Sequence, residues 1–216
     1  DRKYRDAYLA LLEACRHRPY VHLGDVSWRC GGRPPKSTLR PVVDAVPAFR
    51  WLDDAHEHYW TPPDSYGFKS NKVFFPCRKF FALRSEATVE ELQEAIQRSR
   101  ANDGHPSVEV LLNMLDQSGM FVLAGASVRL AEGVEPVPLS GKDLCLIRCA
   151  IALPRTFSYS DLQRALVRAN MSSNHAGTTV TGSSLLHRVA RGRYALISDP
   201  SRIDISKLQK RGADDA

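Results

Sequence analysis

The chain has 216 residues, of which 43% are hydrophobic and 25% are charged, a composition typical of an ordinary globular protein that excludes a disordered or fibrous one. No apolar run approaches the roughly 18 to 20 residues needed to cross a bilayer, and the amino-terminal DRKYRDAYLALLEACRHR lacks the cleavage region of a signal peptide. We therefore expect a soluble cytoplasmic protein with no membrane partner. Because the chain begins with Asp rather than Met, we also expect it to be a piece of a longer protein.

Basic residues are unevenly distributed along the chain. The net charge is +6, a balance that permits nucleic-acid binding without requiring it. Lys plus Arg against Asp plus Glu number 10 against 9 in residues 1–65, 8 against 9 in 66–136, and 12 against 6 in 137–216. The basic excess therefore lies in the last third. The five cysteines have long spacings and no CxxC pair, which favours reduced thiols over a disulfide framework or a zinc ribbon.

The first third of the chain predicts three helices and a hairpin. Apolar periodicity predicts one helix over YRDAYLALLEAC from residue 4 and another opening at VHLGDV (21–26). A third is predicted over PPKSTLRPVVDAV from residue 34, where Pro41 is awkward unless the helix is short or starts late. Two alternating apolar runs, FRWL and HYW, joined by DDAHE, predict a β-hairpin.

The second third has the same order. Its helix candidates are NKVFFPCRKFFAL from residue 71, which begins or kinks at Pro76, then ATVEEL (87–92), then PSVEVLLNMLDQS from residue 106. Thr88 and Glu91 have the spacing of a capping box, in which the hydroxyl and the acid satisfy the first backbone amides of a helix. The runs MFVL and SVRL around AGA predict its hairpin.

The last third has this order again. Helices are predicted over SGKDLCLIRCAIAL from residue 140, at FSYSDL (157–162), and over TTVTGSSLLHRVA from residue 178. Ser158 and Asp161 have capping-box spacing. The runs LLHRV and RYALI around ARG predict its hairpin.

These three stretches are copies of one plan, since the segments VHLGDV, ATVEEL and FSYSDL recur at offsets of 66 and 70 residues. Three helices followed by a hairpin resemble the winged-helix version of the helix-turn-helix fold, here three times in tandem. A narrower resemblance, carried by GRYALI and FRWLDD, is to winged-helix regions of bacterial proteins related to sigma factors. The resemblance implies a mainly α fold with small β-hairpin wings (α+β). It implies domains at 1–63, 68–133 and 138–200, called here the first, second and third repeats, and a polar tail at 201–216.

The first predicted hairpin, FRWLDDAHEHYW (49–60), raises the question of a metal site. It contains four side chains of ligand type: Asp53, Asp54, His56 and His58. Zinc needs three or four convergent ligands, and no further ligand is identifiable from the sequence. We therefore interpret the stretch as a hairpin with Trp51 and Trp60 on its inner face and DDAHE as its exposed turn, and we expect no metal.

The resemblance implies that the third helix of a repeat lies in the major groove of DNA while the hairpin reaches the backbone. The third repeat is best equipped because it has no acid from 162 to 198. Its candidate DNA-contacting residues are Thr179, Ser183, Ser184, His187, Arg188, Arg191 and Arg193. Those of the first repeat are Arg33, Lys36, Ser37 and Arg40, beside an acidic hairpin turn. The second repeat carries Glu109 and Asp116 on its third helix, which is unsuited to DNA.

The sequence thus predicts a non-catalytic, nucleoid-associated protein that binds double-stranded DNA as a transcription regulator or polymerase-associated factor. Signatures of nucleotide-binding proteins, hydrolases and metalloproteases are missing, so we expect no catalytic residues and no cofactor. Two alternatives are left open: a catalytic accessory domain of an enzyme encoded upstream, and a scaffold that uses winged helices as docking modules. That scaffold would bind RNA polymerase or another subunit through the second repeat, or form a homodimer.

Overall fold

A computed structural model of the protein describes residues 2–16, 18–28, 31–62, 72–99 and 105–208. The chain divides into two compact units. The first unit comprises Asp1–Asn71 and Pro106–Gly119, and the second comprises Lys72–His105 and Met120–Ala216. Most of the predicted link around 61–70 lies outside the described residues, as does the end of the predicted tail, 209–216.

Helices predominate over strands, as predicted for an α+β chain. The α-helices of the repeats are α1 (Arg2–Arg16), α2 (Lys36–Ala45), α3 (Phe74–Phe80), α4 (Val89–Arg98), α5 (Val108–Ser118), α6 (Gly141–Ile151), α7 (Tyr159–Arg168) and α8 (Ser173–Gly182). The strands are β1 (Val21–His22), β2 (Arg50–Asp53), β3 (His58–Trp60), β4 (Ala87–Thr88), β5 (Phe121–Ala124), β6 (Ser127–Leu130), β7 (Phe157–Ser158), β8 (Leu186–Ala190) and β9 (Arg193–Leu196). Short 3-10 helices cover Leu23–Asp25 and Pro200–Arg202.

Each repeat contains a small three-stranded antiparallel sheet, and the strand order is the same in all three. The orders are β1-β3-β2, β4-β6-β5 and β7-β9-β8. The last two strands of each sheet form the predicted hairpin. The remaining strand is the start of the repeated segment, where the residues Val21, Ala87 and Phe157 are buried.

These repeated segments differ from the prediction at their first two residues. We expected each to open a helix, but each opens with a two-residue strand paired to its hairpin. In the second and third repeats the helix then follows as α4 and α7. In the first repeat the second helix is replaced by the 3-10 turn Leu23–Asp25, so that part of the prediction is wrong.

Both predicted capping boxes are confirmed. Thr88 accepts the backbone N–H of Glu91 at 3.2 Å while the Glu91 carboxylate accepts that of Thr88 at 2.9 Å, and Ser158 and Asp161 do the same at the start of α7. A third box, formed by Ser140 and Asp143, starts α6. These caps fix the start of three helices at defined residues.

The first repeat has a core of its own made by α1, α2 and the sheet. Its fully or nearly fully buried members include Ala7, Leu11, Leu39, Val42, Val43, Phe49 and Tyr59. Pro41 lies inside α2, where it removes one intrahelical hydrogen bond without ending the helix. Tyr59 donates its hydroxyl to the Leu11 carbonyl at 3.2 Å, which ties the sheet to α1.

The third helix of the third repeat is shifted from its predicted position. It runs from Ser173 to Gly182 rather than from residue 178 onward, because Ser172 caps its start and accepts the backbone N–H of His175. The prediction assigned the Leu-Leu pair (185–186) both to this helix and to the hairpin, and in the structure Leu186 begins β8.

Helix α5 belongs to the first compact unit, although its sequence lies in the second repeat. Asn113 donates to the Leu52 carbonyl at 2.6 Å, and Gln117 donates to the Trp51 carbonyl at 2.8 Å while accepting from the Trp60 indole at 2.8 Å. Because β2 is an edge strand, its outward carbonyls need partners, and α5 supplies them. The compact units therefore do not follow the expected boundaries of 1–63, 68–133 and 138–200.

The second compact unit joins the rest of the second repeat to the third. Lys79 of α3 forms a largely buried ion pair with Asp143 of α6 at 2.5 Å. Arg78 donates to the Glu135 carbonyl at 2.6 and 3.1 Å, which fixes the segment between the repeats. In the described part of the chain, no helix is both long and apolar enough to span a bilayer.

Candidate nucleic-acid interface

Helix α8 presents an uncharged polar face to solvent. Ala176 and Val180 are buried on its inner side, and the outer side exposes Asn174, His175 and Thr178. Gly177 allows close packing on α7, since a Cβ there would lie 2.8 Å from the Tyr159 hydroxyl. His175 was not among the candidates identified from sequence, because the predicted helix began after it.

The candidate Thr179 is only half exposed. Its hydroxyl lies 3.6 Å from the sulfur of Met171, so it is turned toward the protein. The hydroxyl of Thr178 donates to the His175 carbonyl at 3.0 Å, which leaves its lone pairs facing outward as acceptors. The exposed face of α8 therefore offers the Asn174 amide, the His175 imidazole and the Thr178 oxygen.

Two predicted contact residues are not at the surface. Ser183 and Ser184 follow α8 and are buried, with 6% and 3% of their surface exposed. The Ser183 hydroxyl accepts the Leu185 N–H at 3.2 Å and shapes the turn into β8. Their burial removes both side chains from any direct contact, so we drop them from the interface.

The third hairpin carries the predicted arginines in exposed positions. Arg188 lies on β8, Arg191 lies at the tip beside Gly192 (φ +71°), and Arg193 begins β9. His187 is half-buried. None of these three arginine side chains forms an ion pair with a residue that the structure describes. Their charge is therefore available to an anionic ligand.

One acid approaches this hairpin without neutralising an arginine. The Glu94 carboxylate of α4 accepts the backbone N–H of Arg188 at 2.8 Å. Because β8 is an edge strand, this bond covers part of its outer edge, as α5 covers that of β2. The Arg188 side chain instead makes a 3.4 Å bond to the Ala190 carbonyl.

Arg98 at the end of α4 fixes α8 relative to the hairpin. It donates to the carbonyls of Val180 at 2.9 Å and Ser183 at 3.1 Å, and its guanidinium lies 4.9 Å from the centre of the Tyr194 ring. These carbonyls lie at the C-terminal end of α8, where intrahelical partners run out. Burial lowers the pKa of Arg98. This role could not be predicted from the sequence, because no sequence pattern places residue 98 beside residues 180 and 194.

The predicted cations of the first repeat are already paired. Lys36 at the start of α2 forms an ion pair with Glu57, and Arg40 forms one with Asp54 and lies 5.2 Å from the centre of the Trp51 ring. The hydrogen bond from Lys36 holds the pKa of Glu57 below its usual range. Ser37 and Arg33 are exposed beside them. This surface therefore presents less free positive charge than its sequence suggests.

The first hairpin also contains the group of ligand-type residues identified from sequence. Its turn is not wholly exposed, because Asp53 is buried and accepts both the backbone N–H and the ring of His56, at 2.9 and 2.7 Å. Trp60 is buried as predicted, and Trp51 is half-buried. Glu109 of α5 comes close, so that one ligand atom each of Asp53, His56 and Glu109 lie within 4.8 Å of one another. The sequence identified no ligand beyond the hairpin, and the structure adds Glu109 from α5 to this group.

We compared the chain with known protein families, curated proteins and solved structures. No model of a protein family matches the chain, and no curated protein or solved structure matches it either.

Proposed function

We propose that the three repeats are winged-helix domains. The proposal is supported by the order of elements, in which a helix, a two-residue strand, one or two helices and a hairpin recur three times. It is also supported by the identical strand order of the three sheets. In sequence order, helices α2, α5 and α8 correspond to the helix that such domains lay against DNA.

We further propose that the chain is a non-catalytic DNA-binding protein, a transcription regulator or polymerase-associated factor, that contacts duplex DNA through the third repeat. The observation that carries this proposal is the pairing of two surfaces. The polar face of α8 offers uncharged donors and acceptors, and beside it the third hairpin holds three arginines without an ion pair to a described residue. Amide and hydroxyl groups suit base edges and phosphates, and arginines supply the electrostatic affinity.

The first repeat is a secondary contact in this proposal. Lys36 and Arg40 bind DNA phosphates only after their ion pairs with Glu57 and Asp54 break. They therefore add less affinity than two cations without an ion pair would add. The second repeat makes no DNA contact through α5. The polar side chains Asn113 and Gln117 of that helix are bound to β2.

A second candidate function is a protein-interaction scaffold. Helix α5 favours this function. It is the third helix of its repeat, and its polar side chains Asn113 and Gln117 bind the backbone of β2 rather than nucleic acid. If the third helix of every repeat binds polypeptide as α5 does, α8 would bind a partner protein. Light scattering on the purified chain with and without duplex DNA distinguishes a DNA-binding protein from a scaffold. The molar mass of a scaffold would not increase when DNA is added.

The direct test of DNA binding is a fluorescence-anisotropy titration with a random duplex at several salt concentrations. Non-specific binding with a Kd between about 1 and 100 µM is expected near physiological salt. If the three arginines of the third hairpin each neutralise one phosphate, log K should fall with log salt at a slope of about −3. Undetectable binding at low salt, or an affinity indifferent to salt, would contradict the proposal.

A further inference from the structure

We propose that Asp53, His56 and Glu109 bind a divalent transition-metal cation on the first compact unit. Asp53 ends β2, His56 lies in the following turn, and Glu109 lies in the first turn of α5, so two distant parts of the sequence supply the ligands. This site is separate from the proposed DNA-binding surface of the third repeat and does not depend on it.

Electrostatics of the group point to a cation. Two carboxylates whose oxygens lie within 4.8 Å of each other repel unless a positive charge lies between them. The structure assigns Glu109 no hydrogen bond or ion pair with a described residue. A divalent cation would neutralise both acids.

Geometry allows such a cation to enter. Asp53 is buried and is oriented by two bonds to His56, while the His56 and Glu109 side chains are exposed. The buried carboxylate is thus held in a fixed orientation, and the ligand atoms of the two exposed groups lie within 4.8 Å of it. A cation that replaces the bond between the Asp53 carboxylate and the His56 ring would bring all three groups into coordination.

The ligand types restrict the metal. Imidazole with two carboxylates suits first-row transition ions, whereas Mg²⁺ takes oxygen ligands and keeps its water. Affinity for such a site rises from Mn²⁺ to a maximum at Cu²⁺ and is lower for Zn²⁺ than for Cu²⁺, and the carboxylate and imidazole ligands bind Zn²⁺ more tightly than Mn²⁺. Three protein ligands at an exposed position leave coordination sites for water. The expected order of affinity is therefore Zn²⁺ above Mn²⁺, with no measurable Mg²⁺ binding.

Binding would also tie the hairpin turn to α5. Metal bound only by the folded unit stabilises it, so the melting temperature should rise with Zn²⁺ concentration. This response distinguishes a built site from loose association with the surface, which would leave the melting temperature unchanged.

The test is isothermal titration calorimetry of the tag-free, chelator-treated chain with Zn²⁺, Mn²⁺ and Mg²⁺, paired with thermal unfolding. Glu109→Gln and His56→Ala should each weaken Zn²⁺ binding about tenfold or more, at least the scale seen when a supporting partner of a metal ligand is lost. Both variants should also abolish the Zn²⁺-dependent rise in melting temperature.

Asp116→Asn is the matched control, because Asp116 is an exposed acid on the same helix and outside the group. Its Zn²⁺ affinity should equal that of the unaltered chain. Glu109→Gln tests the site even if His56→Ala perturbs the turn, since Glu109 is exposed. Equal Zn²⁺ affinity in the unaltered chain, Glu109→Gln and Asp116→Asn, or no Zn²⁺ binding at all, would overturn the proposal.

Discussion

A lysine or arginine contributes less to DNA binding when an acidic side chain already neutralises its charge. In the first repeat, Lys36 and Arg40 are held by Glu57 and Asp54 from the adjoining hairpin turn. In the third repeat, the arginines of the hairpin have no such partner among the described residues. The same type of element therefore carries two different electrostatic surfaces, and the difference resides in a few acids.

Removing the two acids should make Lys36 and Arg40 available to DNA. We expect Asp54→Asn with Glu57→Gln to tighten duplex binding and to steepen the salt slope by up to about 2, because two more cations become available to phosphate. The stability should change by less than about 1 kcal/mol for each pair, since exposed ion pairs contribute little.

The control for that variant is Glu132→Gln with Glu135→Gln, which removes the same charge from exposed positions elsewhere. Anisotropy titrations at matched salt compare the two. If the control tightens binding as much as the hairpin variant, the effect is one of net charge, and the proposed masking of Lys36 and Arg40 is wrong.

At the scale of elements, the sequence predicted what local chemistry determines. The capping boxes at Thr88 and Ser158, the three hairpins and the start of α3 near Pro76 follow from spacing, from alternation and from the geometry of proline. The position of α8 does not, because a run of small polar residues has no apolar period to mark its ends. Its start depends on the cap at Ser172, and its end depends on Arg98 from another repeat.

Arg98 should therefore be important for the shape of the proposed interface. Arg98→Ala leaves two carbonyls and the face of Tyr194 without their partner, and we expect the free energy of unfolding of the second compact unit to fall by about 2 to 3 kcal/mol. Arg98→Lys should restore little, because a lysine lacks the planar fork that reaches both carbonyls. Denaturant unfolding and hydrogen exchange at residues 180–185 measure the effect.

Arg168→Ala serves as the matched control, since Arg168 is exposed on the last turn of α7. Its unfolding free energy should stay within about 0.5 kcal/mol of the original value. An Arg98→Ala chain that is as stable and as protected from exchange as Arg168→Ala would show that Arg98 does not fix α8.

For the whole molecule, the boundaries of the two compact units differ from those of the sequence repeats. The repeat is visible at offsets of 66 and 70 residues, yet α5, which lies in the second repeat of the sequence, belongs to the first compact unit. Asn113 and Gln117 gave no sign of this, because a polar residue on a helix face normally indicates solvent. The convergence of Glu109 with Asp53 and His56 could not be predicted for the same reason, since it depends on where α5 packs.

Of the three similar repeats, we propose that the last one holds the main DNA-binding surface. This proposal is tested most directly by comparing two triple variants in one salt-dependent anisotropy experiment. The first variant is Arg188→Ala, Arg191→Ala and Arg193→Ala, and the second is Arg33→Ala, Lys36→Ala and Arg40→Ala. Each removes three cations, so net charge is matched.

We predict that the third-repeat variant loses at least about tenfold in affinity at low salt and that its salt slope falls by about 3, the share of three phosphates. The first-repeat variant should lose less than about threefold, because two of its cations are already neutralised in the free protein. Circular dichroism should show both variants folded. An unchanged slope in the third-repeat variant, or a larger loss in the first-repeat variant, would contradict the assignment of the third repeat as the main DNA-binding surface.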